Sequence, residues 1–148
     1  MFIVNTEAAI YKEGSYLIIK RSKKEEHAVG QLSLVGGKVE SGEDSTHVLE
    51  KTIVREVKEE IGLSIVGRPC YIQSTSFVTD TGVHVVNISF LCEDFEGEPY
   101  VASHDEVEAV YWMTPEEIYL NTAAPDYLKD SVEKAEGLRT GVKAVWRK

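Results

Sequence analysis

The chain contains little cysteine and no long hydrophobic run. Its 148 residues include only 2 cysteines, Cys70 and Cys92, which lie far apart and lack the Cys-x-x-Cys spacing of redox and metal motifs. We expect both to be plain buried thiols in apolar strands. No apolar stretch approaches the roughly 18 residues of a membrane span, and residues 1–7 lack the basic and apolar regions of a signal peptide. These absences predict a cytoplasmic protein that does not contact a membrane.

Positive charge is also scarce, since 16 lysines and arginines stand against 25 aspartates and glutamates, for a net charge of −9. We therefore expect no duplex nucleic acid as a partner, because that would need a broad basic face. A small phosphorylated substrate is compatible with this charge, because a cation held by carboxylates can bridge to phosphate oxygens. The densest basic run is Lys-Arg-Ser-Lys-Lys at residues 20–24. It is either a solvated loop or a segment in which Arg21 or Lys23 binds the phosphates of a substrate.

The length and composition predict a single globular domain over residues 1–148. A chain of this size can bury roughly 68–70% of the surface that it exposes when unfolded, and a hydrophobic content of 43% is ordinary for such a domain. The sequence contains no repeat, low-complexity tract or internal linker. A monomer and a homodimer are equally compatible with it.

Strand signals run along most of the chain. Segments rich in apolar, β-branched and aromatic residues predict strands at 3–10, 16–20, 32–35, 70–78, 84–92 and 107–113. The segment Thr79-Asp80-Thr81-Gly82 predicts the turn of a hairpin. Gly36 and Gly37 follow the third strand, where the missing side chains would let a backbone carbonyl approach a metal.

Helix signals occur at three places. The first helix is predicted to begin near Asp44 or Ser45, either of which can cap it, and to end at Gly62. Its apolar stripe comprises Leu49, Ile53, Val54, Val57 and Ile61. A capping box at residues 114–117, Thr-Pro-Glu-Glu, starts a second helix. A third helix follows Pro125, with an inner face of Tyr127, Leu128, Val132 and Ala135. This order of elements predicts an α/β fold in which a mixed sheet packs between helices.

The most informative segment is the octet Arg-Glu-Val-Lys-Glu-Glu-Ile-Gly at residues 55–62. Spacings of three and four residues place Glu56, Glu59 and Glu60 on one side of the last helical turns. Two carboxylates roughly 5 Å apart repel by about 3 kcal/mol at an effective dielectric of 20, so a positive charge is expected there. Three converging oxygen ligands suit a hard divalent cation, above all Mg²⁺. The alternative is an exposed helix face of glutamates and lysines.

Together with the upstream glycines, the octet resembles the signature of the Nudix hydrolases, the family that includes MutT. That signature is Gly, five residues, Glu, seven residues, Arg-Glu, an aliphatic residue, any residue, Glu-Glu, any residue, Gly and an aliphatic residue. The residues that fill its specified positions are Gly37, Glu43, Arg55, Glu56, Val57, Glu59, Glu60, Gly62 and Leu63. Nine matched positions are far more specific than a lone glycine-rich loop.

The chain departs from this pattern at two points. Eleven residues, 44–54, separate Glu43 from Arg55 where the family has seven, and Val35 stands where many relatives have proline. Four additional residues make about one helical turn, so we expect them to extend the helix at its amino-terminal end. The face that presents the carboxylates would then be preserved. The feature that this insertion would disturb is the ion pair that the family's first Glu usually forms with the signature Arg, here Glu43 with Arg55.

The resemblance implies a Nudix α/β/α sandwich over residues 3–136 and hydrolysis of a nucleoside diphosphate linked to another group. It implies Mg²⁺, with Mn²⁺ as a substitute, bound by the Gly37 carbonyl and by Glu56, Glu59 and Glu60. Arg55 belongs to the expected catalytic set. The general base would come from the signature helix or from a later loop, where Glu106 is the candidate; the alternative is that Glu106 is a solvated loop acid. The expected substrate-binding residues are Arg21, Lys23, Gly36 and Lys38.

The resemblance leaves the substrate open. The signature is reached within 37 residues, as in the compact members of the family that cleave nucleoside triphosphates. We therefore expect an intact or damaged nucleoside triphosphate, cleaved to the monophosphate and pyrophosphate. ADP-ribose or another sugar nucleotide is the first alternative, and dinucleoside polyphosphates follow. A nucleotide-binding sensor without activity and a diphosphate-ester isomerase are alternatives from other classes.

Overall fold

The computed structural model describes residues 1–24, 30–40, 42 and 46–141. Within these residues the strands are β1 (Phe2–Lys12), β2 (Ser15–Arg21), β3 (Leu32–Ser33), β4 (Val35–Lys38), β5 (Ser64–Ile65), β6 (Cys70–Val78), β7 (His84–Cys92), β8 (Phe95–Glu96) and β9 (Val107–Met113). The helices are α1 (Val48–Ile61), α2 (Pro115–Leu120) and α3 (Asp126–Thr140). None of the described helices is both long and apolar enough to cross a membrane.

The main sheet is mixed, as the sequence predicts. Its strand order is β3-β2-β1-β7-β6, with β4 paired to β1 and β9 paired to β2. Strand β1 runs parallel to β7 from the pair Phe2 and His84 to the pair Ile10 and Cys92, and its other partners are antiparallel. Strands β5 and β8 form a separate two-stranded sheet. Because β1 pairs on both sides, it lies at the centre of the sheet.

The two faces of the sheet bury two separate hydrophobic cores. Successive side chains of a strand point to opposite faces, and accordingly Ala8 and Ile10 of β1 lie in one core while Ala9 lies in the other. The first core packs against α1 through Ile53, Val57, Ile61 and neighbouring residues. The second core packs against α2 and α3, through Ile118, Leu128, Val132 and Ala135 among others. The predicted α/β/α layering is therefore confirmed.

Several local predictions agree with the structure. The hairpin β6–β7 turns at Thr79–Gly82, and β9 has the predicted bounds. Thr114 and Glu117 form the reciprocal bonds of a capping box at the start of α2. Helix α1 ends at Gly62, which has the left-handed conformation (φ 72°) that glycine adopts without steric cost.

Helix α1 begins later than predicted. Its first residue is Val48, and the preceding His47 is left-handed (φ 56°, ψ 39°), a conformation that interrupts a right-handed helix. The predicted caps Asp44 and Ser45 therefore do not stand at the N-cap, and both lie outside the described residues. Glu43 also lies outside them, so the expected disturbance of its ion pair with Arg55 stays a prediction.

Three burial predictions were wrong. Cys70 is exposed, because β6 is the outer strand of its sheet and only Cys92 lies in a core. Val54 is exposed because its neighbours Ile53 and Val57 already occupy the inner face of α1. Tyr127 is likewise half-exposed and donates a hydrogen bond to Gln31 Oε1 (3.2 Å) instead of entering the core. In each case the residue has the right chemistry for burial but stands at the margin of the packed face.

Candidate active site

Three carboxylates converge between α1 and the loop that precedes β9. Glu56 and Glu60 lie one helical turn apart on α1, and both are buried against the sheet. Glu106 comes from the residue before β9. One carboxylate oxygen of each residue can be chosen so that all three lie within 4.8 Å of one another. Among the described residues these form a cluster able to hold a metal ion.

The loop that carries Glu106 is fastened to the end of α1. The backbone N–H of Tyr100 donates to the Ile61 carbonyl (3.0 Å), and those of Ala102 and Ser103 donate to the Glu60 carbonyl (3.0 and 3.3 Å). These bonds satisfy carbonyls that have no partner within the helix. They bind the loop to the same residue whose side chain belongs to the cluster. The position of Glu106 relative to Glu60 is therefore set by backbone hydrogen bonds.

The two glycines after Val35 have different roles. A Cβ on Gly37 would lie 2.2 Å from Cδ of Glu56, so the absent side chain provides the space that the Glu56 carboxylate occupies. A Cβ on Gly36 would meet the backbone oxygen of Thr6 and collide with β1, so Gly36 permits the pairing of β4 with β1. The Gly37 carbonyl accepts a hydrogen bond from Thr6 Oγ1 (3.0 Å).

Arg55 connects α1 to the end of β4. Its guanidinium donates to Glu56 Oε1 (2.9 Å), to Glu59 Oε2 (3.3 Å) and to the backbone carbonyl of Lys38 (3.3 Å). These bonds hold the Glu56 carboxylate beside Gly37. Glu59 is more than half exposed and lies outside the cluster of three carboxylates. The structure thus brings Glu106, rather than Glu59, together with the other two glutamates.

Burial and the neighbouring negative charges raise the pKa values of the two helical carboxylates of the cluster. Burial, assisted by the negative charges of Glu106 and Glu59, raises the pKa of Glu56 to about 7, against the opposing effect of Arg55. Burial also raises the pKa of Glu60 well above its ordinary range, as do its hydrogen bond with Glu106 and the charges of Glu106 and Glu56. A positive charge placed among the three carboxylates would reverse these effects.

The residues present fit a divalent cation. Oε2 of Glu60 is buried and has no hydrogen-bond partner among the described residues, although a buried polar atom is rarely left without one. Its neighbours are carboxylate and carbonyl oxygens, the ligands that Mg²⁺ and Ca²⁺ prefer. A cation at this position would be the missing partner.

The cluster lies at one end of a cleft of about 900 Å³. Glu56, Glu60 and Glu106 line this cleft, together with Arg21, Gly36, Gly37 and Lys38, which the sequence predicted as site residues. Arg21 lies close enough to Glu60 for its charge to oppose the rise in the pKa of that carboxyl. Lys23 is exposed and does not line the cleft. Of the two phosphate-binding candidates in the basic run, the structure brings only Arg21 to the site.

Sequence reasoning missed the opposite end of the cleft. It is lined by polar side chains of β1, β6, β7 and α3, among them Asn5, Glu7, Gln73, Asn87 and Asp130. The signal was present, because Asn5 and Glu7 alternate with residues of the opposite face in an otherwise apolar strand. Their significance depends on the parallel pairing of β1 with β7, which local patterns do not specify.

Comparison with known proteins identifies the family. The model of the NUDIX domain matches residues 1–134, so the chain belongs to the Nudix family. It is 30% identical over 118 residues to an uncharacterized Nudix hydrolase, YfcD, of Shigella flexneri and of Escherichia coli K12. That match covers 78% of this chain and 62% of the relative, so the chain spans less than two thirds of the length of these curated relatives.

Solved structures agree with this assignment. The MutT protein of Methanosarcina mazei superposes with a TM-score of 0.79 at 28% identity, over 96% of each chain. The MutT NUDIX hydrolase of Burkholderia pseudomallei superposes with a TM-score of 0.76 at 29% identity, over 90% of this chain and 98% of the other. The layered fold therefore extends over nearly the whole chain.

Proposed function

We propose that this protein hydrolyses a nucleoside diphosphate linked to another group, and that its substrate is a nucleoside triphosphate cleaved to the monophosphate and pyrophosphate. The observation that supports this proposal is the convergence of three carboxylates, within 4.8 Å of one another, at the end of a cleft large enough for a nucleotide. The likeness to two MutT proteins favours a triphosphate over a sugar nucleotide.

Each residue of the cluster has a proposed role. Glu56, Glu60 and the Gly37 carbonyl would hold Mg²⁺, for which Mn²⁺ can substitute, and Glu59 adds negative charge at the exposed side. When bound, the cation would supply positive charge against the diphosphate and Lewis-acid polarisation of the phosphoryl group under attack. Arg55 orients Glu56 through the 2.9 Å bond.

Glu106 is the proposed general base, because its loop places the carboxylate beside the buried Glu56 and Glu60. In the reaction, a water oxygen forms a bond to phosphorus while the anhydride P–O bond breaks. The proton of the water passes to the Glu106 carboxylate, and the pyrophosphate leaves with the electron pair. Arg21 and Lys38 line the same cleft and bind the phosphate oxygens.

A product-resolved activity screen tests this proposal. The panel contains nucleoside triphosphates, ADP-ribose, a dinucleoside polyphosphate and an isoprenoid-type diphosphate ester, each with Mg²⁺, Mn²⁺ or chelator. We expect monophosphate and pyrophosphate from a triphosphate, only with metal. Release of AMP and ribose phosphate from ADP-ribose would favour a sugar-nucleotide pyrophosphatase. Rearranged ester would favour an isomerase, and binding without turnover would favour a sensor.

Glu108, two residues away, is a matched control for testing the role of Glu106. Glu108 forms a surface ion pair with Lys20 (3.2 Å) and is 40% exposed, outside the cleft. We expect Glu106→Gln to lower kcat by about 10²–10⁴-fold, the usual contribution of a general base, and Glu108→Gln to leave it unchanged. Equal kcat values in the two variants would exclude Glu106 as the base.

A further inference from the structure

The part of the cleft lined by β1, β6, β7 and α3 has a distinct chemistry. Asn5 donates an amide hydrogen bond to Asn87 Oδ1 (2.8 Å), and Gln73 donates one to Asp130 Oδ2 (3.1 Å). All four residues line the cleft. Among the described lining residues, the basic ones are Arg21 and Lys38, and Lys38 pairs with Asn5 across β4 and β1. The polar side chains of this part of the cleft are otherwise neutral hydrogen-bonding groups or carboxylates.

Glu7 is the most unusual group in this part of the cleft. Its Oε1 accepts hydrogen bonds from Ser89 Oγ (2.6 Å) on β7 and from Ser131 Oγ (2.8 Å) on α3. Its Oε2 accepts no hydrogen bond from the described residues, while the side chain lines the cleft. An ionised carboxylate can only accept hydrogen bonds. It repels a phosphate oxygen and a carbonyl oxygen, and it attracts an N–H donor.

A second, independent observation indicates a ligand in the same cleft. Ser33 lines it and is only 7% exposed, and its hydroxyl is buried without a hydrogen-bond partner among the described residues. Leaving such a group unsatisfied costs stability. The side chains of Ile3, Leu34 and Val85 add apolar walls. A ligand with polar edges and apolar faces, such as a nucleobase, would satisfy both kinds of surface.

We propose that Glu7 makes the cleft select nucleobases that carry an exocyclic amino group, and that this amino group donates to Glu7 Oε2. Guanine, adenine and cytosine have such a donor, whereas thymine and uracil present a carbonyl oxygen where cytosine has its amino group, and hypoxanthine has only a hydrogen where guanine has its amino group. Asp130 of α3, the other carboxylate in this part of the cleft, already accepts hydrogen bonds from Gln73 and from Lys134. The discrimination is therefore assigned to Glu7. This inference rests on the proposed function, because it assigns the cleft to a nucleotide.

The test compares nucleotides with and without the amino group: GTP and ITP differ only in that group, whereas CTP and UTP differ in it and in the proton on ring atom N3. The specificity constant kcat/KM is measured for GTP against ITP and for CTP against UTP. We expect the amino-bearing member to be favoured at least about tenfold in whichever pair is hydrolysed, because a bound base would cover the Glu7 acceptor and the other member would leave it unpaired. A ratio near one in the wild type would overturn the proposal.

The variant Glu7→Gln distinguishes a role of Glu7 in recognising the nucleobase from a role in folding. Glutamine keeps an oxygen for Ser89 and Ser131 but replaces the second oxygen with an amide that donates hydrogen bonds. The preference should therefore fall at least about tenfold in both pairs, and in the CTP and UTP pair it should shift towards UTP, whose carbonyl oxygen accepts from the new amide. A stable variant with an unchanged ratio would show that Glu7 only anchors α3. Ser89→Ala, which removes one anchoring bond without changing the charge, should keep the preference.

A second control lies outside the cleft. Glu136 also joins α3 to the sheet, through Tyr16, but does not line the cleft. Glu136→Gln should leave the GTP/ITP ratio unchanged even if it lowers the melting temperature. A changed ratio there would mean that any loosening of α3 alters selectivity, which would contradict the specific role of Glu7.

Binding measurements distinguish failure of this inference from failure of the proposed hydrolysis. Calorimetry with GMP and IMP, in the absence of metal, requires no turnover. A preference for GMP that Glu7→Gln abolishes would support the base site even if no triphosphate is cleaved. Hydrolysis of a triphosphate with equal binding of GMP and IMP would preserve the proposed function and overturn the proposed selection of nucleobases by Glu7. Absence of binding by both monophosphates would also overturn it.

Discussion

Two glutamates on opposite faces of the sheet have opposite environments. Glu60 on α1 is buried among other carboxylates, and its pKa is raised mainly by burial. Glu136 on α3 accepts hydrogen bonds from Tyr16 Oη (2.6 Å) and from two nitrogens of Arg139 (2.8 and 3.1 Å), and the Arg139 hydrogen bonds lower its pKa. Each residue belongs to a helix that packs on the sheet. The Glu136 carboxylate has its partners within the protein, whereas Oε2 of Glu60 has no hydrogen-bond partner among the residues described.

The difference separates a structural contact from a functional one. The guanidinium of Arg139 also lies 4.2 Å from the centre of the Tyr11 ring, so the Glu136 group fastens α3 to β1 and β2 without any ligand. At the Glu60 group, Arg55 contributes some positive charge, but Oε2 of Glu60 has no hydrogen-bond partner in the part of the chain that the structure describes. Removing negative charge should therefore have opposite consequences for stability at the two places.

The largest expected effect is that of Glu60→Gln on turnover. We expect kcat with Mg²⁺ to fall at least about a hundredfold, because a metal ligand is lost. The metal-free protein should be as stable as the wild type or more so, because repulsion among the carboxylates is relieved. Glu59→Gln should lose less activity, since its exposed side chain lies outside the cluster. Full activity in Glu60→Gln would contradict the metal assignment.

Metal binding should raise the melting temperature of the wild type. A ligand that binds only the folded state stabilises it by about 2.7 kcal/mol at a concentration of one hundred times Kd. Thermal unfolding with millimolar Mg²⁺ or with chelator measures this shift, with and without a nucleotide. We expect the shift to disappear in Glu60→Gln and to persist in Glu136→Gln. A shift of equal size in all three proteins would place the cation elsewhere.

Glu136→Gln should cost stability and leave turnover intact. Losing charged hydrogen bonds removes about 1.5–3 kcal/mol. Because the folded-state pKa of Glu136 is lowered, its contribution is fully present above the unfolded pKa and is lost as the pH falls through the folded one. Unfolding free energies measured between pH 7 and pH 3 should therefore decrease more steeply in the wild type than in the variant. Parallel curves would contradict this assignment.

The smallest expected effect is that of Gly37→Ala. The new Cβ displaces the far end of the Glu56 side chain, so we expect about a tenfold loss of kcat/KM with the fold retained. Gly137→Ala is the control, because a Cβ there meets nothing within 4 Å. It should be neutral or slightly stabilising in a helix. Equal activity of the two alanine variants would mean that Glu56 adapts without cost.

Predictions based on local patterns were the most successful. The hairpin, the capping box at Thr114 and the end of α1 at Gly62 depend on residues a few positions apart, and each agrees with the structure. The start of α1 was placed too early because several residues there can cap a helix, and the left-handed His47 gives no sequence signal. Tyr127 and Val54 were misplaced because helical periodicity gives a direction but not the width of the buried stripe.

The sequence by itself determined the family signature, the strand and helix order, and the acidic octet of α1, because these depend on identity and spacing along the chain. The tertiary structure alone decided which acids meet. It brings Glu106 to α1 through backbone hydrogen bonds to Glu60, and it leaves Glu59 outside. It also sets Glu7 beside Ser89 through the pairing of β1 with β7, across 82 residues of chain. Such contacts depend on long-range strand pairing, which local propensity does not encode.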